Sequence, residues 1–278
     1  MEKWASEVQT KNLELRFRIS EFIHAEKSEF QEIVVVDTLE FGRMLLLDGI
    51  VQTTVNDEFV YHEMITHVPL FAHPNPRKVA VIGGGDGGVV REIIKHDSVE
   101  RVVLCEIDEA VVRVAKEYLP EISCALDDER VEVLFTDGIE YLKKVQNEFD
   151  VIIIDSTDPI GPAKGLFVKD FYASVYSALT GNGIFVAQTE SPFVFRDILK
   201  SAYRSIAQVF PVTRLYLATV PTYPGGLWSF TAGSKTHDVI APVNEKLADS
   251  ITTKYYTAAV HKAAFALPKF VEDLIENP

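Results

Sequence analysis

The feature that most constrains this chain is Gly83-Gly84-Gly85-Asp86-Gly87-Gly88, five glycines in six residues, set between an apolar run, VAVIG, and a helix-like stretch, VVREIIKH. A turn almost free of side chains lets a ligand approach backbone amides at the head of a helix, as nucleotide-binding loops of α/β sheets do. Glu106 ends the next apolar run, 18 residues after Gly88, where a carboxylate accepts hydrogen bonds from ribose hydroxyls. Loop and acid together point to an adenosine-containing ligand; a tight turn beside an exposed acid is the plain alternative. Asp86 would oppose the pyrophosphate of a dinucleotide, so a cationic or neutral group suits the loop better.

From Lys78 onward, apolar runs alternate with amphipathic stretches: VAVIG, VVREIIKH, RVVLCEID, EAVVRVAKEYL, RVEVLF, GIEYLKKV, FDVIIIDS, DFYASVYSAL, GIFVAQTE and FRDILKSAYRSIAQVF. Repeated βα units predict a doubly wound parallel sheet, closed by TRLYLATV and LWSFTAGS as a strand pair and by a last helix around Leu267 to Ile275. Between Leu13 and Thr54, short alternating or β-branched runs broken at Phe41-Gly42 and Asp48-Gly49 read as hairpins. NDEFVYHEMITHVPLFAH follows, with Phe59, Met64, Ile65 and Val68 at helical spacing and Asn56 or Asp57 as its cap; HPNPRK then reads as a rigid linker. The expected organisation is an α/β fold: an N-terminal β domain (1–56), a connecting helix and linker (57–77), and a Rossmann-like, methyltransferase-type domain (78–278).

The 278 residues allow one sizeable domain with a smaller appendage, and 47% hydrophobic against 24% charged residues is an ordinary globular balance. A net charge of −14 argues against a general nucleic-acid surface and is compatible with cationic ligands. Cys105 and Cys124 lack metal-ligand spacing and form no disulfide framework. With no signal-peptide-like start and no apolar run near ~18 residues, neither secretion nor membrane insertion is indicated, and cytoplasm is the expected compartment.

A second constellation closes the run FDVIIIDS. Asp155-Ser-Thr-Asp158-Pro159 puts two carboxylates at the carboxyl edge of the expected sheet, toward which Asp86 and Glu106 also open. Acids sharing one pocket repel one another unless a cation enters. A di- or polyammonium substrate supplies that cation; a divalent metal competes, although no His and carboxylate cluster of ligand spacing accompanies the motif. A turn with a capping aspartate accounts equally for Asp155 and Asp158 taken alone. Asp137-Gly138 similarly offers a carboxylate and an amide to the amino edge of adenine, or simply a helix cap.

GGGDGG at 83–88, CEID at 105–108, Asp137-Gly138, DSTDPIGPAKGLF at 155–167, PTYPGG at 221–226 and HKAAFALP at 261–268 together resemble the spermidine-synthase family of polyamine aminopropyltransferases, over nearly the whole chain. GxGxxG alone is common, whereas GGGDGG with DSxDPxGPA and PTYP in this order is specific. The resemblance implies spermidine synthase activity: transfer of the aminopropyl group of decarboxylated S-adenosylmethionine, a co-substrate, to putrescine, with no prosthetic group and no metal. It implies that Gln31, Gln52, Gly83, Gly84, Gly85, Glu106, Asp137, Gly138 and Pro162 serve the donor and Asp86 its ammonium. It further implies that Asp155 is the catalytic base, and that Tyr61, His62, Asp158 and Tyr223 position the amine. A homodimer or homotetramer is expected. His62 stands where some relatives carry Gln, and Trp228 lies near a stretch that varies with the acceptor, so agmatine, cadaverine or spermidine stay open as acceptors. An S-adenosylmethionine-dependent N-methyltransferase and a noncatalytic polyamine-binding module are the rival readings. GPAKGLF, with Gly161, Pro162 and Gly165 around Lys164, reads as a lid or as an inert surface loop.

Overall fold

The computed structural model describes residues 2–156 and 168–276. Five antiparallel strands, β1 (Lys3–Thr10), β2 (Leu13–Lys27), β3 (Glu32–Thr38), β4 (Gly42–Leu47) and β5 (Ile50–Thr54), form a meander in chain order. β1 was not singled out by the sequence pattern, because its exposed outer positions dilute the alternation. Asp48 and Gly49 adopt φ of 49° and 79°, the paired left-handed conformation that a two-residue hairpin between twisted strands demands.

The runs IVVV and MLLL are continuous because both faces of this sheet are covered. Ile33, Val35, Leu45 and Leu47 pack on the next domain, while Val34, Val36, Met44 and Leu46 face Ala5, Phe17 and Ile19 on the other side. Period-two alternation thus sorts the strands onto two apolar layers instead of one apolar and one wet face.

Helix α1 (Glu58–Ala72) is buried along almost its whole length, unlike an ordinary amphipathic surface helix. Asp57 occupies its N-cap position but makes no side-chain cap bond. Its carboxylate instead accepts from the Thr54 hydroxyl at 2.6 Å and from the Thr222 backbone N–H and hydroxyl at 2.9 and 2.7 Å. The expected cap is therefore a tie between the start of α1 and a distant loop.

The larger sheet contains β6 (Lys78–Gly83), β7 (Arg101–Glu106), β8 (Val131–Phe135), β9 (Phe149–Asp155), β10 (Leu179–Gln188), β11 (Val212–Thr219) and β12 (Leu227–Ser234), in the order β11-β12-β10-β9-β6-β7-β8. β8, β7, β6, β9 and β10 pair in parallel. β12 runs antiparallel to both β10 and β11, so the sheet is parallel only through β10. Alternate residues face opposite layers: Val79, Val81, Ile153 and Leu104 join the core beneath α1 and α2 (Gly88–Ile94). Ala80, Ile82, Ile152 and Ile154 join the core containing α5 (Gly138–Leu142), α6 (Lys169–Ala178) and Ile206 of α7 (Arg196–Ala207). Each fully buried isoleucine contributes roughly 1.5–3 kcal/mol relative to exposure, which fixes the strand register and therefore the ends of β6 and β9. The β-meander docks on α3 (Glu109–Tyr118) and α4 (Pro120–Ser123) through Val111, Val114, Leu119 and Ile122. Three further helices close the chain, α8 (Glu245–Ala248), α9 (Ala258–Ala264) and α10 (Lys269–Glu276).

Strand order reverses between β6 and β9, and Gly83 pairs with Asp155 across that point. In open α/β sheets this crevice is where ligands bind. The glycine loop and the acidic motif, far apart in sequence, therefore end side by side.

Candidate active site

A cavity of about 300 Å³ opens at this reversal. Gln31, Gln52, Tyr61, His62, Gly83, Gly84, Gly85, Asp86, Glu106, Asp137, Gly138, Asp155 and Tyr223 all line it, from both sheets and α1. Asp158 and Pro162, and the segment expected as a lid, lie outside the described residues.

At one part of the cavity stand Glu106, Gln31 and Asp137. Glu106 ends β7, and its carboxylate accepts the Asp108 backbone N–H at 2.9 Å. Burial pushes its pKa up to about 7, with Asp108 adding to the rise and backbone N–H groups opposing it. Such a buried carboxylate gains from further donors on its cavity side, and a pair of ribose hydroxyls would supply them. Gln31 is held by its Nε2 donating to Asp108 Oδ2 at 3.0 Å, beside the Ser28 hydroxyl, which donates to the same oxygen at 2.7 Å. Asp137 does cap α5, accepting from Ile139 N at 2.8 Å, and faces the cavity as well.

The glycine loop brings the acids together by close approach. A Cβ on Gly84 would lie 2.7 Å from Asp155 Oδ2, and Gly84 has φ of 72°. At Gly88 a Cβ would collide with His62, 2.2 Å from its Cε1 and 2.3 Å from its Nδ1. The last glycine of the motif therefore makes room for a side chain of α1, a role that nucleotide-loop reasoning does not anticipate.

Around Asp155 the chemistry is dense. The Tyr61 hydroxyl donates to Asp155 Oδ1 at 2.6 Å. Burial and the neighbouring Asp86 raise the Asp155 pKa to about 6, against the moderating pull of His62 and Tyr61. Asp86 moves the other way. Burial alone would raise it, but the His62 ring, the Gly88 N–H at 2.9 Å and Arg91 hold it below its ordinary value. Environments that push two neighbouring carboxylates apart divide the labour between a fixed anion and a proton acceptor.

His62 is fully enclosed, yet its pKa lies well above the ordinary range: burial disfavours the charged ring, but Asp86 and Glu58 outweigh it. Its Nδ1 lies 2.5 Å from Glu58 Oε2 and its Nε2 3.4 Å from Asp86 Oδ2. The candidate ligand atoms of His62, Asp86 and Asp155 all lie within 4.8 Å of one another, close enough for one cation to bridge the acids. Both ring nitrogens face carboxylates, an arrangement that favours the protonated ring, and a protonated ring offers no lone pair to a metal.

Aromatic walls complete the cavity. The Tyr223 hydroxyl donates to the Gln52 carbonyl at 2.7 Å. The Tyr223 ring meets Tyr61 at 5.7 Å and Trp228 at 4.7 Å, edge on. These rings line a slot suited to a methylene chain. Glu7 and Gln9 of β1 and Gln188 of β10 also line the cavity; sequence reading missed them because a single acid or amide on a strand carries no motif.

Residues 58–242 match the family described as "Spermine/spermidine synthase domain", and residues 3–55 match "Spermidine synthase tetramerisation domain". The chain is 58% identical over 275 residues to a polyamine aminopropyltransferase of Moorella thermoacetica, covering 99% of this chain and 97% of that one. It is 56% identical to the polyamine aminopropyltransferase of Caldicellulosiruptor bescii, over 99% of both. Among solved structures it is similar to a spermidine synthase in complex with the transition-state analogue AdoDATO (TM-score 0.97, 46% identity, 99% and 96% coverage). It is also similar to the spermidine synthase of Thermotoga maritima (TM-score 0.94, 45% identity, 99% and 94% coverage).

Proposed function

Because the chain belongs to the spermine/spermidine synthase family and is a polyamine aminopropyltransferase, we propose that it transfers the aminopropyl group of decarboxylated S-adenosylmethionine to putrescine, yielding spermidine and methylthioadenosine. The observation that carries this reading is the placement of Tyr61, His62, Asp86 and Asp155 in the same cavity as Glu106. That arrangement would seat an ammonium next to a nucleoside.

In this reading Gln31, Glu106, Asp137 and Gly138 hold the nucleoside, and Asp86 holds the ammonium of the aminopropyl arm. The amine nitrogen attacks the methylene carbon beside the sulfonium, the carbon–sulfur bond breaks, and methylthioadenosine leaves with the electron pair. Asp155 takes the proton that the nitrogen sheds. Tyr61 holds that carboxylate in place through its hydrogen bond at 2.6 Å. Alignment supplies much of the acceleration, since no covalent intermediate is needed. Asp86 also accounts for donor choice, because intact S-adenosylmethionine would bring a carboxylate against it.

The rim of exposed apolar side chains on β1 and β2, Trp4, Val8, Leu13 and Phe22, supports a homo-oligomer built through the β-meander. The match of residues 3–55 to a tetramerisation domain favours a tetramer. No described helix is long and apolar enough to cross a membrane. The unpaired Cys105 and Cys124 suit a reducing, cytoplasmic setting.

The test is mass spectrometry of the purified protein with decarboxylated S-adenosylmethionine and a panel of amines including putrescine, cadaverine, agmatine and spermidine. Equal amounts of methylthioadenosine and spermidine, formed fastest from putrescine, are expected. Faster turnover of another amine would move the assignment to that acceptor, and methylated amine formed from intact S-adenosylmethionine would overturn it.

A further inference from the structure

A line of charged side chains leaves the cavity from His62 through α1 and α2, and the reaction as written gives none of them a step. His62 Nδ1 lies 2.5 Å from Glu58 Oε2, one helical turn earlier on α1. The same Glu58 oxygen accepts from Arg91 Nη2 at 2.8 Å. Arg91 Nε donates to Glu92 Oε1 at 2.9 Å, and Glu92 Oε2 is met by Lys95 Nζ at 2.6 Å and His67 Nε2 at 3.0 Å. Glu58, Glu92 and His62 are 5%, 1% and 2% exposed, so none of this is surface decoration. Buried ion pairs of this kind are weak contributors to stability against apolar residues of the same volume. Their retention beside a reacting centre asks for another reason.

The geometry supplies one. Glu58 is a carboxylate fixed by Arg91, so it can only accept, and the ring nitrogen facing it must carry a proton. The ring also lies close against Gly88, where any side chain would collide with it, and its Nε2 faces Asp86 Oδ2 at 3.4 Å. We propose that Glu58 and Arg91 are positioning residues for the transfer: through His62 they keep a second, buried positive charge against Asp86, so that Asp86 stays an anion for the donor ammonium and Asp155 remains the proton acceptor. The idea rests on the aminopropyl-transfer reading. Among the described residues, the charged and titratable groups facing His62 are Glu58 and Tyr61 of α1, Asp86 of the glycine loop, Arg91 of α2 and Asp155 at the end of β9. The only cation held among them besides His62 is Arg91, and it reaches His62 through Glu58.

The directions agree with this role. Glu58 is itself held below its usual range: burial would raise it, but His62 and Arg91 prevail. Removing the Glu58 charge takes away one of the two anions that keep His62 protonated. His62 would then lose its proton at lower pH, and Asp155, no longer moderated by the ring, would be harder to ionise.

Glu58→Gln keeps the shape and removes the charge. The expected result is a ~10-fold loss of kcat/KM for the amine, with the acid limb of its pH profile moved upward, a tenfold change corresponding to one pKa unit. In a His62→Gln background the same Glu58→Gln change should cost less than about twofold, because a residue acting through His62 has nothing left to act on. An equal cost in both backgrounds would make Glu58 a fold support only and overturn the proposal. Should Glu58→Gln fail to fold, ¹⁵N NMR of histidine-labelled wild-type enzyme at pH 7 decides, with His62 assigned by its loss in His62→Gln. Two protonated ring nitrogens are expected, and a singly protonated ring overturns the idea. The ring's state is readable whether or not methylthioadenosine is formed, so failure of this inference is distinguishable from failure of the assigned reaction.

Discussion

Replacing Asp155 with Asn tests the proposal that it accepts the proton. A primary ammonium has a pKa of ~10.4 and an ordinary aspartate ~3.9, a gap of ~6.5 units or about 9 kcal/mol against proton transfer. Burial and Asp86 carry Asp155 to about 6, which removes ~2 units, or about 3 kcal/mol, of that gap. The remainder falls to the sulfonium, whose positive charge disfavours a second ammonium beside it, and to the bond-making itself. Asn keeps the volume and an acceptor for the Tyr61 hydroxyl but takes no proton. Turnover should therefore fall ~10²–10⁴-fold, about 3–5 kcal/mol of barrier, with methylthioadenosine affinity changed only a few-fold. The pH dependence is the sharper readout, because amine ionisation cancels in the ratio of wild-type to variant kcat/KM. Below about pH 6 that ratio should climb tenfold per unit, and above it the ratio should level off. Stopped assays of methylthioadenosine release between pH 5 and 8.5 measure it. Near-normal turnover, or a ratio independent of pH, would refute the assignment of Asp155 as base.

Three further outcomes follow from the geometry. Glu106, raised to about 7 by burial, should ionise when ribose hydroxyls donate to it; titration calorimetry of methylthioadenosine at pH 6 should show close to one proton released to buffer, and an enthalpy independent of buffer would contradict that contact. Gly88→Ala drives a methyl into the His62 ring and should cost ~1–3 kcal/mol of stability by overpacking with at least ~10-fold in kcat/KM, read by urea unfolding and steady-state rates; a wild-type rate would show that the ring has other room. Asp57→Ala strands Thr54 and both donors of Thr222, so unfolding free energy should drop by ~2–4 kcal/mol and the KM for the amine should rise because Tyr223 follows Thr222; an unchanged KM would uncouple that loop from the acceptor slot.

Much of the fold was legible because its signals are local. Alternating apolar and amphipathic runs marked the parallel strands and their helices, and Asp48-Gly49 marked a hairpin by its backbone requirement alone. TRLYLATV and LWSFTAGS were legible as the closing pair β11 and β12, but not the antiparallel run of β12 beside β10, since direction in a sheet depends on pairing partners and not on side-chain period. β1 escaped because an edge strand with exposed outer positions carries half a pattern. Asp57 was legible as a helix start but not as a tie to Thr222, because a cap and a long-range hydrogen bond need the same residue type.

The site divides along the same line. Gly83 to Gly88, Glu106 and Asp155 could be placed from sequence because a strand end fixes where its last side chain points, and register then brings Gly83 opposite Asp155. Tyr61, His62 and Tyr223 could be named only through resemblance, since a lone tyrosine or histidine is compatible with simple packing. What the structure adds is the cause of their arrangement. α1 is buried along almost its whole length, so Glu58, Tyr61 and Glu63 cannot turn to water and each is held by a partner: Glu58 by His62, Tyr61 by Asp155, Glu63 by the backbone N–H groups of Lys254, Tyr255 and Tyr256. A helix so placed holds its functional side chains by the cost of leaving any of them unpaired. Asp86 and Asp155 share one cavity, with His62 beside them and Arg91 further off, so a cation entering between them would lower the cost. The same burial that positions these groups therefore favours a cationic ligand in this cavity.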